Sequence, residues 1–166
     1  MKNLKCTFLL AIALVAIGGS LKAESLYVSY GKGLLSFSID PNTGALTKLP
    51  GTPTLFPEGS GALALARRGH LLYMGGNSIH GYRIEGNGQL HPLPGSPYQV
   101  PGGYLAVDPF NRFLYATIFN TTYLAPGAIA VYRIEPNGSL RTVPGSPFPT
   151  GSDPFQIAVD PFGRFI

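Results

Sequence analysis

The chain has 166 residues, with 12 Lys and Arg against 8 Asp and Glu and only 12% charged residues, about half of the roughly 25% usual in soluble domains. Its 22 Gly and 16 Pro exclude long helices, because these two residues most disfavour helix interiors. The glycines have no three-residue period and 45% of residues are apolar, which excludes collagen-like repeats and charge-driven disorder.

At the start of the chain, Lys2 and Lys5 precede an apolar run from Phe8 to Ile17, followed by Gly18-Gly19-Ser20-Leu21-Lys22-Ala23. The run is too short to cross roughly 30 Å of hydrocarbon as a helix, so the pattern predicts a signal peptide over 1–23 rather than a membrane anchor. Cleavage is expected after Ala23, with Ser20 as second choice, and export to the periplasm or exterior follows. Cys6 lies ahead of the run, whereas a lipid-modified cysteine would follow it. Cleavage removes Lys2, Lys5 and Lys22 and no acid, leaving nine bases against eight acids and no cysteine. No basic surface remains to attract nucleic acid, and stability must come from the core without disulfides.

From residue 26 onward the chain repeats itself. Ser36-Phe37-Ser38-Ile39-Asp40-Pro41-Asn42-Thr43-Gly44-Ala45-Leu46 superimposes on Gly81-Tyr82-Arg83-Ile84-Glu85-Gly86-Asn87-Gly88-Gln89-Leu90 and on Val131-Tyr132-Arg133-Ile134-Glu135-Pro136-Asn137-Gly138-Ser139-Leu140. Each copy is followed by Pro-Gly-Ser/Thr-Pro, at Pro50, Pro94 and Pro144. The isoleucines at 39, 84 and 134 are 45 and 50 residues apart, a period that marks propellers and arrays. Short β-branched and aromatic runs between turn signals make the unit four strands, A to D from the axis outward. Strand A is expected at 62–66, 103–107 and 155–159, and strand B at 26–30, 70–75, 112–118 and 164–166. Strand C falls at 34–39, 79–84 and 128–134, and strand D at 45–49, 89–93 and 139–143. Asp40-Pro41-Asn42-Thr43-Gly44 and Glu135-Pro136-Asn137-Gly138, with Gly86 for Pro in the remaining copy, make the C–D turns, Pro presetting φ and Asn or Gly accepting the left-handed conformation.

The fold class expected is therefore all-β, an incomplete β-propeller of four-stranded antiparallel blades. After the signal, 24–166 forms a partial propeller with repeats at about 26–53, 61–97 and 103–147 and the start of another at 155–166. Its first repeat begins at strand B with no strand A before it. About three blades cannot close a ring, so missing blades or a second copy are expected to complete it.

The segment Leu26 to Leu46, with Leu26-Tyr27-Val28 and Ile39-Asp40-Pro41-Asn42-Thr43-Gly44, resembles the opening of the seven-bladed propeller lactonase family, which includes bacterial 6-phosphogluconolactonase. Ile157-Ala158-Val159-Asp160-Pro161-Phe162-Gly163-Arg164-Phe165-Ile166 is similar to its blade-opening motif. The resemblance implies seven blades, with this chain an N-terminal fragment inactive by itself, and hydrolysis of a sugar lactone by the parent without cofactor or metal. Where enzymatic members carry a Pro-His pair opening strand A, this chain reads Gly102-Gly103-Tyr104 and Asp153-Pro154-Phe155, so no catalytic histidine carries across. The alternative is a non-catalytic exported propeller binding a protein or carbohydrate.

Lactone hydrolysis needs a base to activate water and a donor for the developing oxyanion. Repeat alignment puts His70 beside a turn and His91 on outer strand D, both solvated, and His80 on strand C as a core histidine with a partner. Propeller sites occupy the mouth formed by the D–A and B–C loops. The candidates there are Glu58 and Asp153 as carboxylate bases and Tyr104 and Gln156 as substrate-binding groups; no metal set is expected. Arg67-Arg68, on the A–B side, replaces the Asp-Pro of sister repeats and could bind an anion.

Overall fold

Turn residues every few positions leave short runs that can satisfy their backbone groups only by pairing with chain neighbours, and antiparallel meanders result. A computed structural model describes residues 24–52, 54–56, 61–100, 102–119 and 126–162, and the backbone of 12–15. The first sheet runs in the order β1 (Ile12–Val15), β2 (Glu24–Tyr30), β3 (Gly33–Ile39), β4 (Leu46–Lys48), with β5 (Thr54–Leu55) also pairing with β3. The second is β6 (Leu63–Ala66), β7 (Leu71–Met74), β8 (His80–Ile84), β9 (Leu90–Pro92). The third is β10 (Leu105–Val107), β11 (Phe113–Ile118), β12 (Pro126–Ile134), β13 (Leu140–Thr142), with β14 (Phe148–Ser152) returning to β12. These sheets are three blades, and the register repeats among them: Leu26 faces Phe37, Leu72 faces Tyr82, and Leu114 faces Tyr132.

The middle blade shows how alternation builds the core. Successive side chains of a strand point to opposite faces, yet all four residues of β7 are buried. Leu71 and Tyr73 join the cluster shared with the third blade, containing Leu105, Leu114 and Tyr132. Leu72 and Met74 join the cluster shared with the first, around Tyr27, Leu34 and Phe56. Both faces of the middle blade are therefore covered by blades.

Across each seam a strand B tyrosine also donates a hydrogen bond to the C–D turn of the next blade. The Tyr27 hydroxyl donates to the Gly88 carbonyl at 2.7 Å, and the Tyr73 hydroxyl to the Gly138 carbonyl at 2.7 Å. The accepting turns owe their shape to Gly88 and Gly138, at φ of 80° and 89°, a region an L side chain rarely adopts. Asn87 Oδ1 accepts from Gln89 N, and Asn137 Oδ1 from Ser139 N. In the first blade Asp40 takes that part: Oδ1 accepts from Asn42 N and Thr43 N, and these bonds hold its carboxyl below the ordinary range. The Pro-Gly-Ser-Pro repeat has a function of its own, since Ser96 Oγ accepts from Gly81 N at 3.0 Å and Ser146 Oγ from Val131 N at 2.9 Å. It pins the D–A connections of the second and third blades onto strand C.

Four features depart from the sequence expectation. Where the first repeat was expected to lack an innermost strand, Ile12–Val15 pairs antiparallel with Val28 to Ser25 and takes that position. An unpaired strand edge accepts any extended apolar segment of suitable length, and the apolar run near the start of the chain is one. Second, 155–159 is not a strand; among the described residues it has no strand beside it to pair with. Its expected partner, 164–166, lies outside the described residues. Third, β5 and β14 extend strand C pairing into segments expected to be loops. Fourth, Val107 pairs with Leu114 as Leu65 pairs with Leu72, so Ala66 rather than Arg67 stands in the place of Asp108. Arg67 and Arg68 stand in those of Pro109 and Phe110.

Asp108 shows what that place does. It is 2% exposed; Oδ1 accepts from the backbone N of Arg112 and of Phe113, and Oδ2 from Arg112 Nε at 3.1 Å. In the middle blade Ala66 cannot do this, and a single 3-10 turn, Arg67–Gly69, closed by His70 at φ of 49°, replaces it. We expect Asp108→Ala to lower stability by about 2 to 3 kcal/mol, because two partly buried backbone N–H groups lose a charged acceptor. Asp108→Asn, which keeps one acceptor oxygen, should cost less. Urea titration of both variants checks the order.

Candidate functional site at the loop end of the third blade

The D–A and B–C connections meet at one end of the blades, and strand A begins there. In the third blade this start is held by Thr117 of β11, which is 1% exposed. Its Oγ1 accepts from Tyr104 N at 2.9 Å, its N–H donates to the Tyr104 carbonyl at 2.9 Å, and its carbonyl accepts from Gly103 N at 2.8 Å. The hydroxyl then donates to the Phe155 carbonyl at 3.4 Å, joining the third blade to the segment that follows β14.

This clamp brings three rings together. Tyr104 and Phe119 have centroids 5.9 Å apart at 87°, Tyr104 and Phe155 are 6.2 Å apart, and Phe119 and Phe155 are 5.7 Å apart. Tyr104 is half-buried, while Phe119 and Phe155 are 41% and 64% exposed. Two large apolar rings held in solvent at a loop end by a buried threonine form a platform, not a core. Aromatic faces carry negative quadrupole charge, so they attract the C–H edges of a flat polyol ring.

The sequence candidates distribute as follows. Tyr104 is in the cluster. Gln156 is exposed and directly follows Phe155. Asp153 is half-buried two residues before Phe155, with φ of 51°, a left-handed conformation uncommon outside glycine that Asp tolerates better than most residues. Glu58 lies outside the described residues. Phe119, Phe155 and Thr117 were not among the candidates; the available signal was an aromatic immediately after β11 and another three residues after β14. His80 opens β8 half-buried, with Nε2 3.2 Å from Ser78 Oγ and its ring edge-on to Phe56 at 4.8 Å, as a packed histidine should be. His70 and His91 are exposed. Among the described residues no three His, Cys, Asp or Glu side chains gather in an arrangement that could hold a metal ion.

No protein-family model matches the chain, and no curated protein sequence matches it either. Solved structures do. A proposed 6-phosphogluconolactonase from Bacteroides fragilis is 19% identical with a TM-score of 0.65, and one from Bacteroides uniformis is 16% identical with a TM-score of 0.69. In both, the match covers 92% of this chain and 46% of the other. A protein from Lactobacillus plantarum is 19% identical with a TM-score of 0.62, over 87% of this chain and 43% of that one. At these identities the likeness is one of fold: the chain has an all-β propeller architecture like that of these proteins and spans a little under half of their length.

Proposed function

We propose that the chain, its β1 removed with the signal segment and that strand position left for the rest of the ring to fill, supplies the first blades of an exported, seven-bladed lactonase-family ring whose loop-end mouth binds a sugar lactone, and that the complete parent hydrolyses it. The observation that carries this reading is the exposed aromatic platform of Tyr104, Phe119 and Phe155, since a sugar ring is the ligand that such faces take at a wet mouth. The repeated blade motifs and the fold likeness support the lactonase assignment. Asp153 and, by repeat alignment alone, Glu58 are the carboxylates we assign to that end, and Gln156 is the amide beside the platform. The chain by itself is expected to bind sugar without turnover, because the remaining blades contribute the rest of the mouth.

Isothermal titration with methyl glucoside and with glucono-1,5-lactone tests the binding. The chain should bind both weakly, and Tyr104→Ala should reduce affinity about tenfold, the loss of an aromatic contact worth roughly 1 kcal/mol together with its ordering of the neighbouring rings. Absence of binding by the chain, or an affinity that survives Tyr104→Ala, would remove the reading. A second reading, a non-catalytic carbohydrate-binding propeller, is favoured by Gly102-Gly103-Tyr104 and Asp153-Pro154-Phe155, which place no histidine where strand A opens. Proton release during lactone hydrolysis by the complete parent separates the two.

A further inference from the structure

We propose a second binding site at the opposite, turn-bearing end of the blades, a cleft that takes a hydroxylated organic anion, a sugar acid or a sugar phosphate. It does not rest on the reading of the mouth. The cleft, about 570 Å³, opens between the A–B turn of the middle blade and the A–B and C–D turns of the third, and Arg68, Arg112, Arg133 and Glu135 bring charge to it.

Arg68, Arg112 and Arg133 line this one cleft, and Asp108, the acid nearest to Arg112 in sequence, is already spent. Both oxygens of Asp108 are engaged by the Arg112 turn, and the Arg112–Asp108 pair is the one ion pair among the described residues. That pair uses Arg112 Nε alone and fixes the direction of the guanidinium, whose side chain remains 58% exposed. Its central carbon sits 4.8 Å from the Phe110 ring centroid and 5.6 Å from that of Phe113, and Arg133 lies on Phe113 at 5.9 Å. The two arginines are thus held on one aromatic ring with their terminal N–H groups left for a ligand. A planar guanidinium ordered in this way suits an oxyanion, since less freedom is lost on binding. Arg68 comes from the Arg67-Arg68 pair, the residues that interrupt the Pro-Phe pattern of the third blade's turn.

The fourth charged group sets the ligand's chemistry. Glu135 Oε1 is buried and accepts no hydrogen bond, a costly condition for a carboxylate oxygen. A bare anion would not relieve it. A ligand carrying hydroxyl groups beside its oxyanion would donate to Glu135 while its charge lies on the arginines.

The test is calorimetric titration of the full chain with gluconate, glucose 6-phosphate, inorganic phosphate and glucose. Gluconate, glucose 6-phosphate or both should bind, glucose should not, and the tighter of the two identifies carboxylate or phosphate as the anionic group. Arg68→Ala and Arg133→Ala should each weaken binding about tenfold, the loss of a charge-assisted hydrogen bond. Both side chains are exposed, so circular dichroism should show an unchanged fold; Arg133→Lys, which keeps the charge and loses the fork, should fall between. Glu135→Gln should weaken the hydroxylated anions and leave inorganic phosphate unaffected or slightly tighter. Tyr104→Ala should change nothing here, which separates this site from the mouth. No binding of either hydroxylated anion at millimolar concentration, equal binding of inorganic phosphate, or affinity that survives the two arginine substitutions combined would overturn the proposal.

Discussion

Tyr73→Ala is expected to destabilise the protein by about 3 to 5 kcal/mol, the range for removing a large buried ring from a core that cannot collapse into the space. The side chain is fully buried, and its ring fills the seam between the second and third blades among Leu71, Leu105, Leu114 and Tyr132. Its hydroxyl donates to the Gly138 carbonyl at 2.7 Å, so the substitution also takes away that carbonyl's donor. A stability change of this size is a large share of the 5 to 15 kcal/mol typical of a whole domain, and equilibrium urea unfolding followed by far-ultraviolet circular dichroism measures it. Tyr73→Phe separates the two contributions: it keeps the packing and should cost about 1 to 2 kcal/mol for the hydrogen bond alone.

The same tyrosines make the protein sensitive to alkali. Burial pushes the Tyr27 hydroxyl up to about 12, with a hydrogen bond to Ser25 acting the other way, and pushes Tyr82 to about 12. Burial raises Tyr73 as well, aided by Tyr98 and opposed by Arg83. In the unfolded chain these groups ionise near 10. The unfolded state therefore releases its protons first, and the stability these residues contribute is complete below pH 10 and is lost as pH rises from about 10 through 12. Alkaline titration monitored by tyrosinate absorbance should show ionisation and unfolding together in that window, with Tyr27→Phe shifting the midpoint upward.

Gly75→Ala is expected to cost about 3 kcal/mol, at the upper end of overpacking penalties, although it adds a single methyl group. Gly75 follows β7, donates to the Ala62 carbonyl at 2.9 Å, and lies where the backbones of the second and third blades meet. A Cβ there would stand 2.6 Å from the Gly103 carbonyl oxygen and closer still to that of Gly102. Both obstacles are backbone, so neither can rotate away. The adjoining bridge between Gly76 and Gly102, with N–O distances of 2.6 and 3.1 Å, would have to open. Gly151→Ala provides the control: nothing lies within 4 Å of its Cβ position, and its stability should match that of the parent chain. Since Gly103 precedes Tyr104, a displaced blade contact should also disturb the aromatic platform, and sugar binding by Gly75→Ala should weaken along with stability.

Much of this architecture was legible because its signals are local. Asn and Gly, with Pro in the first and third copies and Gly86 in the second, marked the C–D turns at 40–44, 85–88 and 135–138 from conformational preference alone, and the strands between them followed from alternation and length. The repeat carried the register too: His80, Leu35 and Ala130 were aligned from sequence and occupy equivalent positions opposite Met74, Val28 and Ala116. Where the alignment slipped, at Arg67-Arg68 against Asp-Pro, the cause is a change of turn type. A 3-10 turn holds the same number of residues between paired strands as the Asp108 turn does, so matching by charge and Pro misplaced it by one position. Strand pairing of Thr54–Leu55 and Phe148–Ser152 with strand C was illegible because neither segment alternates; backbone pairing holds both, and the Ser146 hydroxyl anchors the start of the second.

The site was less legible. Tyr104 was named because it opens strand A, but its partners Phe119 and Phe155 lie 15 and 51 residues further along the chain, and no spacing rule connects them. The buried Thr117 clamp that gathers them is one threonine in a strand, and nothing in its local sequence distinguishes it. The anion cleft follows the same logic. Arg68 was visible as a charged interruption of a turn, while Arg112, Arg133 and Glu135 become its neighbours only when the second and third blades stack.

By itself, then, the amino-acid sequence determined the repeating four-stranded unit, its turns and the tyrosine in each strand B, because these depend on backbone preference and on a pattern read within some fifty residues. Tertiary structure alone decided which face of each strand met which blade, which N–H groups Asp108 would satisfy, and which rings and guanidinium groups would share a surface. Those outcomes depend on packing between segments distant in the chain, where burial and hydrogen-bond geometry act on whole blades and no local preference records the result.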